Sequence, residues 1–186
     1  MTYYGGKELA AAFRTVRNNT IKMAEEIPES KYDVSAAPET RTVAQTLAHI
    51  GTATNFQSYV HRNNISDLKT VNFMEIFPKF MAEENKPRTK AELIGYLKSE
   101  GETFASYLEG LPESFLCEVV AMPPGAEPAT KTRFEMLLSA KEHEMHHRGQ
   151  LMTLQRMIGV VPHLTRQMNE RMAQMQAQAA AAQAQR

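Results

Sequence analysis

The stretch from Thr130 to Val160, which contains KEHEMHHRGQLMTLQRM, constrains this chain more than any other. It reads as one long helix. Apolar residues recur at Met136, Ala140, Leu151, Leu154 and Ile158, and the same period places His143 and His147 in the gap. A helix turns about 100° per residue, so positions four apart share a face. Two imidazoles therefore interrupt a stripe that is otherwise suited to a core. Burying a polar group without a partner costs roughly 1–3 kcal/mol. Two neutral imidazoles one turn apart can share one partner, a divalent metal. The plainer alternative is a pair of core histidines satisfied by ordinary hydrogen bonds. A third suitably placed ligand would favour the metal.

The bulk properties bound the rest. A length of 186 residues suits one domain, or one domain with a tail, and 42% hydrophobic residues can supply its core. Lys plus Arg and Asp plus Glu balance at 21 each, with no basic block, so a nucleic-acid partner is not expected. The opening MTYYGGKELAAAFRTV has no apolar run of signal type, and no stretch approaches a membrane span. The single Cys117 permits no internal disulfide and fits a reducing, cytoplasmic location. Lying among Phe115, Leu116, Val119 and Val120, it is expected to be a small buried hydrophobe.

Four segments carry helical periodicity. Residues 6–27 place Leu9, Phe13, Val16, Met23 and Ile27 on one seam, and Pro28 stops them. A second helix starts at Thr40 or Thr42 and runs to about His61. It has two apolar faces: Val43, Leu47, Ile50 and Thr54 on one, and His49, Ala53, Phe56 and Val60 on the other. His61, at its end beside Arg62, is expected to be solvated. Residues 62–88 read as an irregular segment with a short helix from Val71 to Phe77, ended by Pro78. Thr89 and Glu92 form a capping box for a third long helix with Leu93, Leu97, Phe104, Leu108 and Leu111 inward. Val119 and Val120 suggest a short extended piece. Thr130 or Thr132 opens the fourth long helix, which Gly159 and Pro162 close. Leu164, Met168, Met172 and Met175 keep helical spacing beyond it, before the low-complexity QAQAAAAQAQR, which is expected to fray. The expected organisation is an all-α four-helix bundle over residues 1–162 and a helical or disordered tail over 163–186.

With His49 on one helix and HEMHHRGQL on another, the chain resembles the DinB/YfiT-like superfamily of metal-binding four-helix bundles, which is unrelated to the DNA polymerase sharing the name. The resemblance covers roughly residues 6–160 and rests on VAQTLAHI at 43–50, HEMHHRGQL at 143–151 and GVVP at 159–162. It implies that His49, His143 and His147 hold one divalent ion, zinc or nickel. It further implies a reaction on small molecules: transfer of a low-molecular-weight thiol or, second, hydrolysis by a water activated at the metal. A metal-binding stress or interaction protein without turnover is the competing class.

HEMHH also matches the H-E-x-x-H helix of zinc proteases, with Glu144 as general base. The extended form of that motif requires Gly and His where this chain has Gln150 and Thr153, and Glu170 is the sole downstream acid. Glu144 and Arg148 are thus weak catalytic candidates. Glu144 otherwise reads as a solvated or supporting residue, and Arg148 as one half of an ion pair or an anion binder. His146, rotated about 60° from His143, reads as a supporting or interface residue. The Met stripe and the wide apolar helix faces lead us to expect a homodimer.

Overall fold

The computed structural model describes residues 4–184, so both ends of the two expected segments, residues 1–3 and 185–186, lie outside the described residues. Four long helices form the body: α1 (Gly6–Glu26), α2 (Val43–Arg62), α4 (Lys90–Glu109) and α6 (Arg133–Met157). Shorter elements fill the connections: α3 (Phe73–Glu84), α5 (Glu113–Leu116), and an antiparallel pair, β1 (Val119–Ala121) with β2 (Thr130–Thr132). A further helix, α7 (His163–Ala184), follows the body.

Local chemistry sets where the helices begin. Thr42 and Gln45 form a capping box at α2, as Thr89 and Glu92 do at α4, and the Thr132 hydroxyl accepts from the Glu135 N–H at α6. Each of these satisfies backbone donors that the first helical turn leaves unpaired. Around the bundle, α1 packs on α4 and α6, and α2 packs on the same two helices. Consecutive long helices α1 and α2 are therefore diagonal. Only the long connections, residues 27–42, 63–89 and 110–132, make such an order possible. Cross-helix contacts give the directions. Arg14 reaches Glu102 and Glu109 while Lys98 reaches Glu25, so α1 and α4 are antiparallel. His49 meets His143 while His61 meets Arg133, so α2 and α6 are antiparallel.

Ile21, Met23, Leu47, Ile50, Leu97 and Leu151 build one core cluster, and Leu9, Phe13, Phe104, Leu108 and Leu137 build another. A third, with Val60, Leu68, Ile76 and Met136, lies where α3 and the strand pair close on the bundle.

Three expectations are corrected. Helix α3 runs through Pro78 to Glu84 instead of stopping at it. Packing on α2, through Phe56 against Phe73 and Phe77, offsets the hydrogen bond that Pro78 cannot donate. His61 is 1% exposed, not solvated, because Arg133, Phe115 and the Ile65 carbonyl close over the end of α2. Cys117 is exposed, because Leu116 takes the buried position at the end of α5.

Candidate metal centre

The buried seam of α6 contains Leu137, Ala140, Glu144, His147, Leu151 and Leu154, a 3–4 alternation. The sequence stripe holds at Met136, Ala140, His147, Leu151 and Leu154 and departs at one position: Glu144 takes the buried place on the seam, and the half-buried His143 flanks it. His143 and His147, one turn apart, both reach α2. His49 meets them from the second apolar face of α2.

The three side chains converge on one point. His143 Nε2 lies 3.2 Å from His49 Nε2 and 3.1 Å from His147 Nε2. The candidate ligand atoms of the three residues all lie within 4.8 Å of one another. For comparison, donors on a tetrahedral zinc with bonds of about 2.0–2.1 Å stand about 3.3–3.4 Å apart.

Hydrogen bonds on the far side of the rings orient them. His49 Nδ1 donates to Glu84 Oε2 at 2.8 Å, and Glu84 Oε1 accepts from Arg41 Nε at 3.3 Å. His147 Nδ1 donates to Gln150 Oε1 at 2.8 Å, and the Gln150 amide nitrogen lies 3.2 Å from His146 Nε2. Once Nδ1 carries the proton in a neutral ring, Nε2 presents a lone pair. His49 and His147 thus both aim acceptors at His143 Nε2. A single proton there cannot satisfy two acceptors, whereas a cation among the three nitrogens satisfies all of them. The donor set fits a divalent ion, with a carboxylate and an amide holding two ligand rings from behind.

Burial favours the neutral form of His143 and His147. Desolvation, followed by the neighbouring His147 and His49, pushes His143 down to about 4. Desolvation also lowers His147, opposed by its bond to Gln150. Neutral imidazole is the form that binds metal.

The two weak catalytic candidates stand elsewhere. Glu144 is 2% exposed and faces Arg17 of α1, whose Nε donates to both carboxylate oxygens at 3.0 Å. It is neither solvated nor turned toward the histidines. Arg148 is half-buried; burial lowers the pKa of His163 and Glu26 opposes it, and Arg148 adds to the lowering after Arg166 and Lys22. Sequence reasoning missed Glu84, Arg41 and Gln150. Gln150 is three residues from His147 and was within reach of helical spacing. Glu84 comes from α3, in the segment that read as irregular, and carried no local signal.

A cavity of about 1220 Å³ opens beside this centre, with Arg41, Glu84 and Gln150 in its wall together with Gln45, Arg88 and Thr153. The orienting partners of His49 and His147 thus border it, while the three imidazoles do not line it.

The family model of the DinB superfamily matches residues 12–151. No curated protein matches the chain. Several solved structures share the fold. A DinB-like protein from Bacillus subtilis is 23% identical over 82% of this chain and 92% of its own, with a TM-score of 0.61. An uncharacterized protein from Clostridium difficile 630 is 15% identical over 84% of this chain and 98% of its own, with a TM-score of 0.62. YfiT from Bacillus subtilis, described as a probable metal-dependent hydrolase with an unusual four-helix bundle topology, is 13% identical over 86% of this chain and 91% of its own, with a TM-score of 0.65. No helix among the described residues is long and apolar enough to cross a membrane. With a four-helix body, three convergent histidines and a family model matching well over half its length, this chain belongs to the DinB superfamily.

Proposed function

We propose that the chain is a metal-dependent enzyme acting on small molecules, with one divalent ion, zinc or nickel, held by His49, His143 and His147. The observation that carries this reading is the convergence of three Nε2 atoms, two of them turned into lone-pair donors by Glu84 and Gln150. Three nitrogen ligands leave a divalent ion an open position. When bound, such an ion acts as a Lewis acid that lowers the pKa of a water or thiol brought to its open side.

The state of the neighbouring carboxylates bears on the reaction class. Glu84 is held by His49 and Arg41, and Glu144 by Arg17, so neither is free to take a proton from water. A low-molecular-weight thiol needs less help, since its own acidity brings the thiolate within reach near neutral pH. Transfer of such a thiol is accordingly the first reading. In it the sulfur bonds to an electrophilic carbon, the leaving group departs with the electron pair, and the thiol proton passes to solvent. Hydrolysis is the second reading, favoured by the description of YfiT as a metal-dependent hydrolase.

Metal analysis by mass spectrometry of untagged protein, alongside His143→Ala, tests the centre. The expected result is one equivalent of zinc or nickel, lost in the variant. No metal after reconstitution would return the histidines to a structural role. Loaded protein is then offered electrophiles with and without a small thiol. Thiol-dependent product supports transfer, and thiol-independent product supports hydrolysis.

A further inference from the structure

The family model ends at residue 151, and α7 begins at His163. Its first turn is anchored: His163 Nε2 bonds Asn19 Oδ1, Thr165 accepts from Arg156, and Leu164 packs on a core cluster. From Arg166 to Gln183, every described side chain is exposed. Alanine and glutamine propensity accounts for that part being helical. It does not account for three methionines in line. Met168, Met172 and Met175 are 59%, 47% and 55% exposed, and they share one face with Leu164, Ala179 and Ala182.

We propose that α7 is a self-association helix whose stripe pairs antiparallel with the same stripe of a second copy. Three features of the stripe select this occupant. The inner positions 168, 172, 175 and 179 are spaced 4, 3 and 4, which reads the same in both directions. A two-fold axis near residues 173–174 therefore sets Met168 against Ala179 of the second copy, and Met172 against Met175. Met168 then meets a small side chain at each end of the pair, while Met172 and Met175 meet at its centre, where the flexible methionine side chains fill the gap between the helices. A parallel pair would set Met168 on Met168 and leave the alanine half thin.

Charge points the same way. The helix carries only Arg166, Glu170 and Arg171. Arg171 flanks the stripe. A parallel pair would bring it beside its own copy, whereas the antiparallel register places it near Gln176. An antiparallel pair also keeps the two four-helix bodies at opposite ends of a helix about 33 Å long.

Sedimentation velocity of the full chain over a wide concentration range tests the association. A reversible dimer is expected. Met168→Glu with Met172→Glu places like charges at the seam and weakens association by about a hundredfold or more. Ala173→Glu with Ala177→Glu adds the same charge to the opposite face and leaves association unchanged. All four sites are exposed, and an unchanged melting temperature confirms that the body remains folded. Orientation is read in a Cys117→Ser background. Chains carrying Met168→Cys form disulfides with chains carrying Ala179→Cys, while Ala182→Cys does not link to itself. A monomer at all concentrations, a dimer insensitive to the methionine variant, or self-linked Ala182→Cys would each overturn the proposal.

Discussion

His49 Nδ1 lies 2.8 Å from Glu84 Oε2, and this contact ties the connecting helix α3 to the histidine cluster. The carboxylate holds the ring by its Nδ1 proton and leaves Nε2 free for a ligand role. Partners of this kind set both the tautomer and the basicity of a metal-binding histidine. Glu84→Gln keeps the shape and an acceptor but removes the charge. Metal affinity, measured by competition with a chromophoric chelator, is expected to fall by about 10–100-fold. Unchanged affinity would mean that Glu84 positions α3 and not the ligand.

Ligand binding to the folded state alone raises stability by mass action. At a free metal concentration of 100 times Kd, the gain is about 2.7 kcal/mol, or roughly 5–10 °C in Tm for a chain of this size. Thermal unfolding with and without zinc should show that shift in the native chain and not in His147→Ala. An equal shift in both would place the stabilising metal elsewhere.

Arg17 ties the four long helices together. Its guanidinium contacts the Glu144 carboxylate of α6 at 3.0 Å, the Leu97 carbonyl of α4 at 2.8 Å and the Ile50 carbonyl of α2 at 3.3 Å. Both charged side chains are 3% exposed. Arg17→Met strands a buried carboxylate, and chemical denaturation should show a loss of about 3–5 kcal/mol. Adding Glu144→Leu removes the stranded charge and should recover most of that loss. If the single and double variants prove equally unstable, the pair is not the cause. Gly101 adjoins this site: a Cβ there would stand 2.7 Å from Arg17 Cγ, so Gly101→Ala should cost about 1–3 kcal/mol.

His61 supplies a pH dependence separate from the histidine cluster. Burial first, and the Arg133 charge second, push its pKa down from 6.5 to about 4. Above pH 6.5 the ring is neutral in both folded and unfolded chains and its effect is constant. As pH falls from 6.5 toward 4, the unfolded chain takes up a proton that the folded chain refuses, and stability is lost. Below pH 4 both forms are protonated and the loss levels off, at roughly 3 kcal/mol. His61→Gln can accept from Arg133 and donate to Gln57 without titrating. In metal-free protein, unfolding curves from pH 7 to 4 should therefore be less steep for the variant. Equal slopes would assign the acid sensitivity to other groups.

Local patterns carried most of the architecture. The apolar spacing of α1, α2, α4 and α6, with Thr42, Thr89 and Thr132 as caps, marks these helices because helix formation answers to neighbours within one turn. His143 and His147 are legible as a pair for the same reason. His49 joined them only through resemblance, since α2 alone gives no sign of which helix it faces.

The remaining pairings are non-local. Arg17 and Glu144 are 127 residues apart, and Arg133 and His61 are 72 apart. Neither pairing leaves a trace in spacing, so Glu144 read as solvated or catalytic and His61 as exposed. The continuation of α3 through Pro78 depends on aromatic packing against α2, which outweighs one lost hydrogen bond, and it brings Glu84 to His49. Spacing along the chain is enough to say which residues share a helical face. Only the packing of the four helices determined which faces meet, because burial and charge pairing depend on what the opposite helix presents.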